Sequence, residues 1–200
     1  MSWTLPVVNF NRAVNICVCV AEGTVSYDMP QGEKRNDVDL EDETYDGGLD
    51  SGFLSGGLGQ LTDGEQGPSN FRLDRFSRGK KGYDWVGWRN ESFPATGAVD
   101  IDFRFDAVRN FTAVQLHCNN MYTKDVRVFR LARITFRGGE GATSQLPPLE
   151  FQYARDTAMG YERTVSIPLE NRIGREVRLR LYFDAAWMLI SEVQFVSGMR

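Results

Sequence analysis

The chain has 200 residues, 42% of them hydrophobic and 12% aromatic, enough for one globular core. Its 27 acidic and 23 basic residues leave a net charge of −4, which argues against a nucleic-acid binder. No run of about 18 apolar residues is present to cross a membrane, and Cys17, Cys19 and Cys118 can neither all pair within one chain nor match a zinc-knuckle or thioredoxin spacing.

Residues 13–21 (AVNICVCVA) form a short apolar run. It reads as the h-region of a signal peptide cleaved after Ala21, although Asn15 interrupts it and only Arg12 supplies positive charge ahead of it. The alternatives are a buried strand, or a sequence end foreign to the domain, such as a gene-model artefact. Residues 23–50 are acidic: Glu33, Asp37, Asp39, Glu41, Asp42, Glu43, Asp46 and Asp50 stand against Lys34 and Arg35. Val25-Ser26-Tyr27 opens like a strand and TYDG at 44–47 closes like a turn, so this segment is expected to be ordered.

Residues 56–90 contain a glycine-rich stretch, then Gln60 and Asp63, then Tyr83, Trp85 and Trp88 interrupted by Gly82 and Gly87. No regular element explains such a run, whereas a loop built to hold an ion or meet a partner does. From residue 98 onward, period-two alternation dominates. Val99, Ile101, Phe103 and Phe105 share one face, and Val114, Leu116 and Cys118 another, before an Asn119-Asn120 turn. Val126, Val128, Ala132, Ile134 and Phe136 predict one long strand, and 138–148 an insertion-like loop. Val165, Ile167 and Leu169 lead to a predicted turn at 171–175. Val177, Leu179, Leu181 and Phe183 follow, then a last strand through Leu189, Val193 and Phe195. No window sustains a 3.6-residue apolar repeat, so the expectation is an antiparallel sandwich or jelly roll.

Catalytic chemistry finds little support. His117 is the single histidine and sits in an alternating strand, which favours a structural role and rules out a multi-histidine metal site. No phosphate-binding loop is present, and although carboxylates are plentiful, nothing singles out a glycosidase pair. Hard oxygen ligands are available instead: Glu41, Gln60 and Asp63 in loops, and Glu192 after Ser191 in the last strand. These suit calcium if that strand pairs near the 56–90 loop, and otherwise read as solvated surface. Arg127, Arg130, Arg133, Arg137, Arg178 and Arg180 read either as a heparin-like or acidic-partner patch or as the wet face of a sheet. Two sequons, at Asn90 and Asn110, are candidate glycosylation sites and are expected beside turns.

The motifs TYDG (44–47), GGLGQLTDG (56–64), GYDWVGWRNES (82–92), FRFD (103–106), RNFTAVQLHCNNMYTK (109–124) and WMLISEVQF (187–195) together resemble the discoidin domain receptors, which are collagen-activated receptor tyrosine kinases. The resemblance is to their second extracellular module and covers residues 23–197, leaving 1–22 unmatched. It implies an all-β, antiparallel, eight-stranded jelly-roll-like β-sandwich of the galactose-binding-like, discoidin-like type, with Ca2+ bound between its long loops. The implied ligands are Gln60, Asp63, Glu65, Tyr83, Trp85, Ser191 and Glu192, with Glu65, Tyr83, Trp85 and Ser191 offering backbone or hydroxyl oxygen. Glu41 stands where the family has an asparagine ligand, and Asn90 matches a family glycosylation position. Vertebrate relatives carry cysteines where this chain has Ile134 and Leu179, so an apolar contact is expected to replace a disulfide.

The resemblance further implies a non-catalytic extracellular module of a single-pass receptor of the plasma membrane, packing beside a collagen-binding discoidin domain and taking part in control of receptor activation, with a receptor dimer as partner. Collagen would be met through the parent receptor and not by this chain alone. The rival reading is an independent secreted lectin-like or heparin-binding β-sandwich, which glycan binding by the isolated chain would favour.

Overall fold

The computed structural model describes residues 23–76, 82–138 and 146–199. The alternation that opens the second half of the chain is realised in β7 (Ala98–Asn119). There Val99, Ile101, Phe103 and Phe105 are no more than 1% exposed, while the residues between them face outward. β7 pairs antiparallel with β10 (Glu162–Tyr182) along nearly its whole length. At 22 and 21 residues these strands far exceed a typical strand of about 5–6 residues, and each changes neighbours partway along.

The first half of β7 takes β1 (Thr24–Pro30) as partner, from Thr24 opposite Phe105 to Asp28 opposite Asp102. Its second half takes β11 (Trp187–Met199), from Ile190 opposite Cys118 to Met199 opposite Arg109. Beyond β1 lie β5 (Phe53–Gly57) and then β4 (Gly48–Asp50). Beyond the second half of β10 lie β8 (Leu131–Arg137) and β9 (Leu149–Gln152), and beyond β11 lies β6 (Val86–Arg89). The two halves close on each other, with Phe103 and Phe105 of the first layer meeting Phe195 of the second at ring-centroid distances of 5.1 and 5.2 Å. The result is an antiparallel β-sandwich in which β7 and β10 belong to both layers.

The class is the one expected, but the strand segments number eleven among the described residues. The extra pieces are short: β4 and β9 are edges of three and four residues, and β2 (Lys34–Arg35) with β3 (Val38–Asp39) form a separate ribbon. That ribbon turns through Asn36, whose φ of 54° suits asparagine in a tight hairpin.

Two local expectations are corrected. The predicted turn at 171–175 lies inside β10, where Glu170 and Asn171 take φ of 54° and 57°. The register against β7 slips between Pro168 and Arg172 and again between Gly174 and Glu176. Extra residues on one strand bend it without reversing it, which is how β10 passes from one layer to the other. The strand predicted from Val126 starts only at Leu131. Val126 makes an isolated parallel bridge to Trp187, and Val126, Val128 and Phe129 are buried by packing without a ladder. The apolar run at 13–21, Cys17, Cys19 and the tip of the 138–148 loop lie outside the described residues. Cys118 is free and buried, and burial pushes its thiol up.

At one corner the described chain begins and ends. The Gly23 carbonyl accepts the Asp106 N–H at 2.9 Å, the Arg109 guanidinium fills the space a Gly23 side chain would take, and Met199 stands opposite Arg109 in the ladder.

Candidate functional site

After β5 the chain drops to a 3-10 turn, Gln60–Thr62, whose three residues are all buried. Gly59 admits this descent: a Cβ there would lie 2.6 Å from Asp42 Oδ1 and 2.7 Å from Tyr27 Oη. Asp42 is the hub of the joint. Its carboxylate accepts the Tyr27 hydroxyl and the Gln60 N–H (3.1 Å), and its own N–H donates to Gln31 Oε1 (2.8 Å). Burial pushes both the Asp42 carboxyl and the Tyr27 phenol up. Gln60 continues the lattice with its side chain, accepting the Glu43 N–H at 2.9 Å and donating to the Tyr83 carbonyl at 2.6 Å. The acidic segment, the glycine-rich loop and the aromatic cluster are thus tied at one point.

β11 approaches the same loop from the other side. Its register against β7 slips between Ile190 and Glu192, leaving Ser191 as the extra residue. Ordinary alternation would send Ser191 and Glu192 to opposite faces. The bulge instead turns both toward the loop: Ser191 Oγ accepts the Gly67 N–H at 3.0 Å, and Glu192 Oε2 accepts the Gly64 N–H at 3.1 Å. Glu192 is 7% exposed. Its carboxyl is pushed up to about 8, mainly by burial and further by the charge of Asp63, while the Gly64 N–H works the other way.

The Asp63 carboxylate accepts the Glu65 N–H at 2.8 Å and meets Arg75 at 3.5 Å. Arg75, 3% exposed, belongs chiefly to the equally buried Asp84, which its Nε meets at 2.6 Å. A contact of 3.5 Å is the weaker of the two. Arg75 and Asp84 were not singled out in the sequence. Their only local signal is a charge at each end of a loop, and their partnership depends on the fold.

The remaining expected ligands fall into two groups. Trp85 is fully buried, its ring stacked on His117 at 5.5 Å and its Nε1 donating to the Pro68 carbonyl, so only its backbone is left to offer oxygen. Tyr83 sends its hydroxyl to the Asp37 carbonyl at 3.2 Å and its own carbonyl toward Gln60. Glu65 joins the loop through its backbone. Glu41 is not brought to this corner. Its carboxylate lies 4.0 Å from Lys34 Nζ, and it lines a separate groove with Gln31, Leu49 and Phe93, because Asp42 next to it is the residue turned inward. Among the described residues no three Asp, Glu, His or Cys side chains converge on one point. A cation here would therefore rest on Asp63 and Glu192 with neutral oxygens, a donor set that suits a hard ion such as calcium.

His117 has the structural role expected of it, bonded to Thr164 Oγ1 and the Gly67 carbonyl at 3.1 Å each. Three of the six arginines are paired with acids: Arg178 grips Asp102, Arg180 grips Asp100 and Arg133 grips Glu150, each through two nitrogens. Arg130 donates to the Phe183 carbonyl, and Arg127 lies over the Tyr122 ring. Asn90 is exposed in a 3-10 turn at the end of β6. Asn110 is not beside a turn. It lies within β7 between Ile173 and Gly198, with its side-chain oxygen buried.

A β-sandwich with long loops locked to a bulged last strand is a discoidin-like module. Residues 23–197 match the family model for the discoidin domain-containing receptor 1/2 DS-like domain, and the chain belongs to that family. It is 36% identical to the mouse epithelial discoidin domain-containing receptor 1 over 94% of this chain and 22% of that protein. It is 32% identical to the Caenorhabditis elegans discoidin domain-containing receptor tyrosine kinase B over 97% of this chain and 24% of that protein. The chain thus spans less than a quarter of the length of these relatives. Among solved structures, the C-terminal domain of a Bacteroides fragilis chitobiase aligns at a TM-score of 0.49 and 9% identity, covering 90% of this chain and 97% of that one. A fucose-binding module of Streptococcus pneumoniae aligns at 0.44 and 11%, covering 70% and 84%.

Proposed function

We propose that this chain is a non-catalytic extracellular module of a collagen-binding receptor tyrosine kinase, stabilised by Ca2+ and taking part in the control of receptor activation. Collagen contact would fall to an adjoining discoidin domain of the parent receptor, and the activation role to this module's packing against that neighbour and within a receptor dimer. A glycan at Asn90, on the exposed turn, fits an extracellular setting.

The observation that carries the calcium part of this reading is the bulge at Ser191. It sets Ser191 and Glu192 against Gly67 and Gly64, beside Asp63. Bound calcium would supply positive charge to a corner where the Asp63 and Glu192 carboxylates lie close enough to feel each other's charge. Gln60, Asp63 and Glu192 would hold it with side-chain oxygen, and Glu65, Tyr83, Trp85 and Ser191 with backbone or hydroxyl oxygen. Glu41, in its separate groove, is left out of the proposed set.

Thermal unfolding with calcium and with chelator tests the reading. An ion that binds the folded state alone raises the midpoint, by about 2.7 kcal/mol of stability at a hundredfold excess over Kd. Wild type is expected to show the shift, and Asp63→Ala and Glu192→Gln to lose it. A wild type that melts identically in both conditions rejects the calcium site.

A further inference from the structure

A second polar site lies away from the bulge, at the β2–β3 ribbon. Arg35 ends β2 with its guanidinium between two aromatic rings, 5.3 Å from the Phe71 centroid and 5.2 Å from the Trp187 centroid. Its Nη2 donates to the Lys124 carbonyl, while Nη1 is buried and has no partner. Among the described residues Arg35 forms no ion pair, unlike Arg75, Arg178 and Arg180. Beside it opens a polar pocket of about 140 Å³, lined by Arg35, Arg72, Lys124, Asp37 and Phe71. That is far below the roughly 300–1,000 Å³ of a drug-sized ligand site, so it admits one small group.

The charge balance says which group. Arg72 and Lys124 are exposed and come from segments distant in sequence, and together with Arg35 they line the one pocket. Opposing them are Asp37, which meets Arg72 at 3.5 Å with three-quarters of its side chain in water, and Asp125, whose charge Arg35 feels. Burial disfavours the Arg35 charge, Asp125 restores part of the loss and Arg72 adds repulsion. A guanidinium clamped by two rings is already oriented, so little freedom is lost when an oxyanion meets its edge. Three basic residues around a space this small suit a compact oxyanion, and a tetrahedral one has an acceptor oxygen to offer each of them.

We propose that the pocket formed by Arg35, Arg72 and Lys124 binds a tetrahedral oxyanion, either a free ion or a sulfate ester presented on a glycan.

The test is a titration of the folded chain by nuclear magnetic resonance, at constant ionic strength set with sodium chloride, using inorganic sulfate, inorganic phosphate and a sulfated disaccharide in turn. Saturable shifts of the Arg35 Nε–H and the Trp187 indole N–H are expected. Arg35→Ala removes the ring stack and can unfold the ribbon, so the decisive variant is Arg72→Ala with Lys124→Ala, two exposed side chains. It is expected to keep the wild-type melting midpoint in chloride and to bind the ions about tenfold more weakly or worse. A disaccharide at least tenfold tighter than inorganic sulfate identifies the ester as the ligand, and equal affinities identify the free ion. Absence of saturable shifts with all three probes, or titrations unchanged in the double variant, overturns the proposal.

Discussion

Ile134 of β8 and Leu179 of β10 stand directly opposite each other in an antiparallel ladder, both fully buried. The two side chains share the inward face, with the Cβ atoms of opposed residues about 4.5–5.5 Å apart, a small backbone adjustment from the roughly 3.5–4.5 Å that a disulfide spans. The apolar pair joins the strands without one.

Ile134→Cys combined with Leu179→Cys should therefore form a disulfide on oxidation. The closed loop restricts the unfolded chain, so the oxidised variant should exceed its reduced form by about 2–4 kcal/mol in denaturant unfolding. Leu179→Ala alone should lose about 2–5 kcal/mol through the cavity it leaves. A double variant that stays reduced under air oxidation would contradict the register.

Tyr27 and Asp42 form a buried donor–acceptor pair under the glycine-rich loop. Tyr27→Phe leaves the Asp42 carboxylate short of a donor and should cost about 1–3 kcal/mol. A double-mutant cycle with Asp42→Asn should return a coupling of about 1 kcal/mol or more. Hydrogen exchange at the Gln60 N–H, which donates to Asp42, should speed up in both single variants.

Gly67 packs its backbone against the Trp85 indole, with no room for a Cβ. Gly67→Ala should push the loop off Trp85, break the Gly67–Ser191 hydrogen bond and cost about 1–3 kcal/mol. If calcium is held at this corner, the same variant should also shrink the midpoint difference between calcium and chelator. A distant variant that costs at least as much stability, Leu179→Ala, should leave that difference intact.

Asp156 sits in a ring of donors: Arg163, the Tyr153 hydroxyl at 2.7 Å and the Ala158 N–H at 3.1 Å. The Arg163 guanidinium, above all, holds its carboxyl well below the ordinary aspartate range. A carboxyl whose folded pKa is depressed stabilises the fold fully above its unfolded value of about 3.9, and that contribution is lost as pH falls toward the folded value. Asp156→Asn should thus cost about 1 kcal/mol near pH 7, a figure already reduced for solvent screening of a part-exposed group. The gap between the two proteins in urea midpoint should close below about pH 4.

Alternation revealed those parts of the fold where one face of a strand is buried and the other is wet. Val99 to Phe105 and Val177 to Phe183 could be read residue by residue, because burial there follows the period of the chain. What broke the period stayed hidden. The slip at Ser191, which turns two consecutive residues to one side, leaves no trace in WMLISEVQF read alone, since it exists only against β7. The layer change in β10 looked like a turn because Asn and Gly are common to turns and bulges alike. At the site, the motif placed Asp63, Ser191 and Glu192 in one neighbourhood. It could not show that Asp42 rather than Glu41 turns inward, or that Arg75 already takes a share of Asp63. Both depend on contacts from segments remote in sequence.

The corner at Arg109 has a mechanical consequence. Because Gly23 and Met199 both adjoin Arg109, a longer polypeptide would enter and leave the module at one corner, and the sandwich would hang to the side of the line between its neighbours. Tension along such a polypeptide would not stretch the body of the domain. It would tug at the outer ends of β1 and β11, opening their ladders on β7 rung by rung like a zip rather than shearing them all at once. The edge-to-face phenylalanines behind that corner would feel the load only after those first rungs had parted.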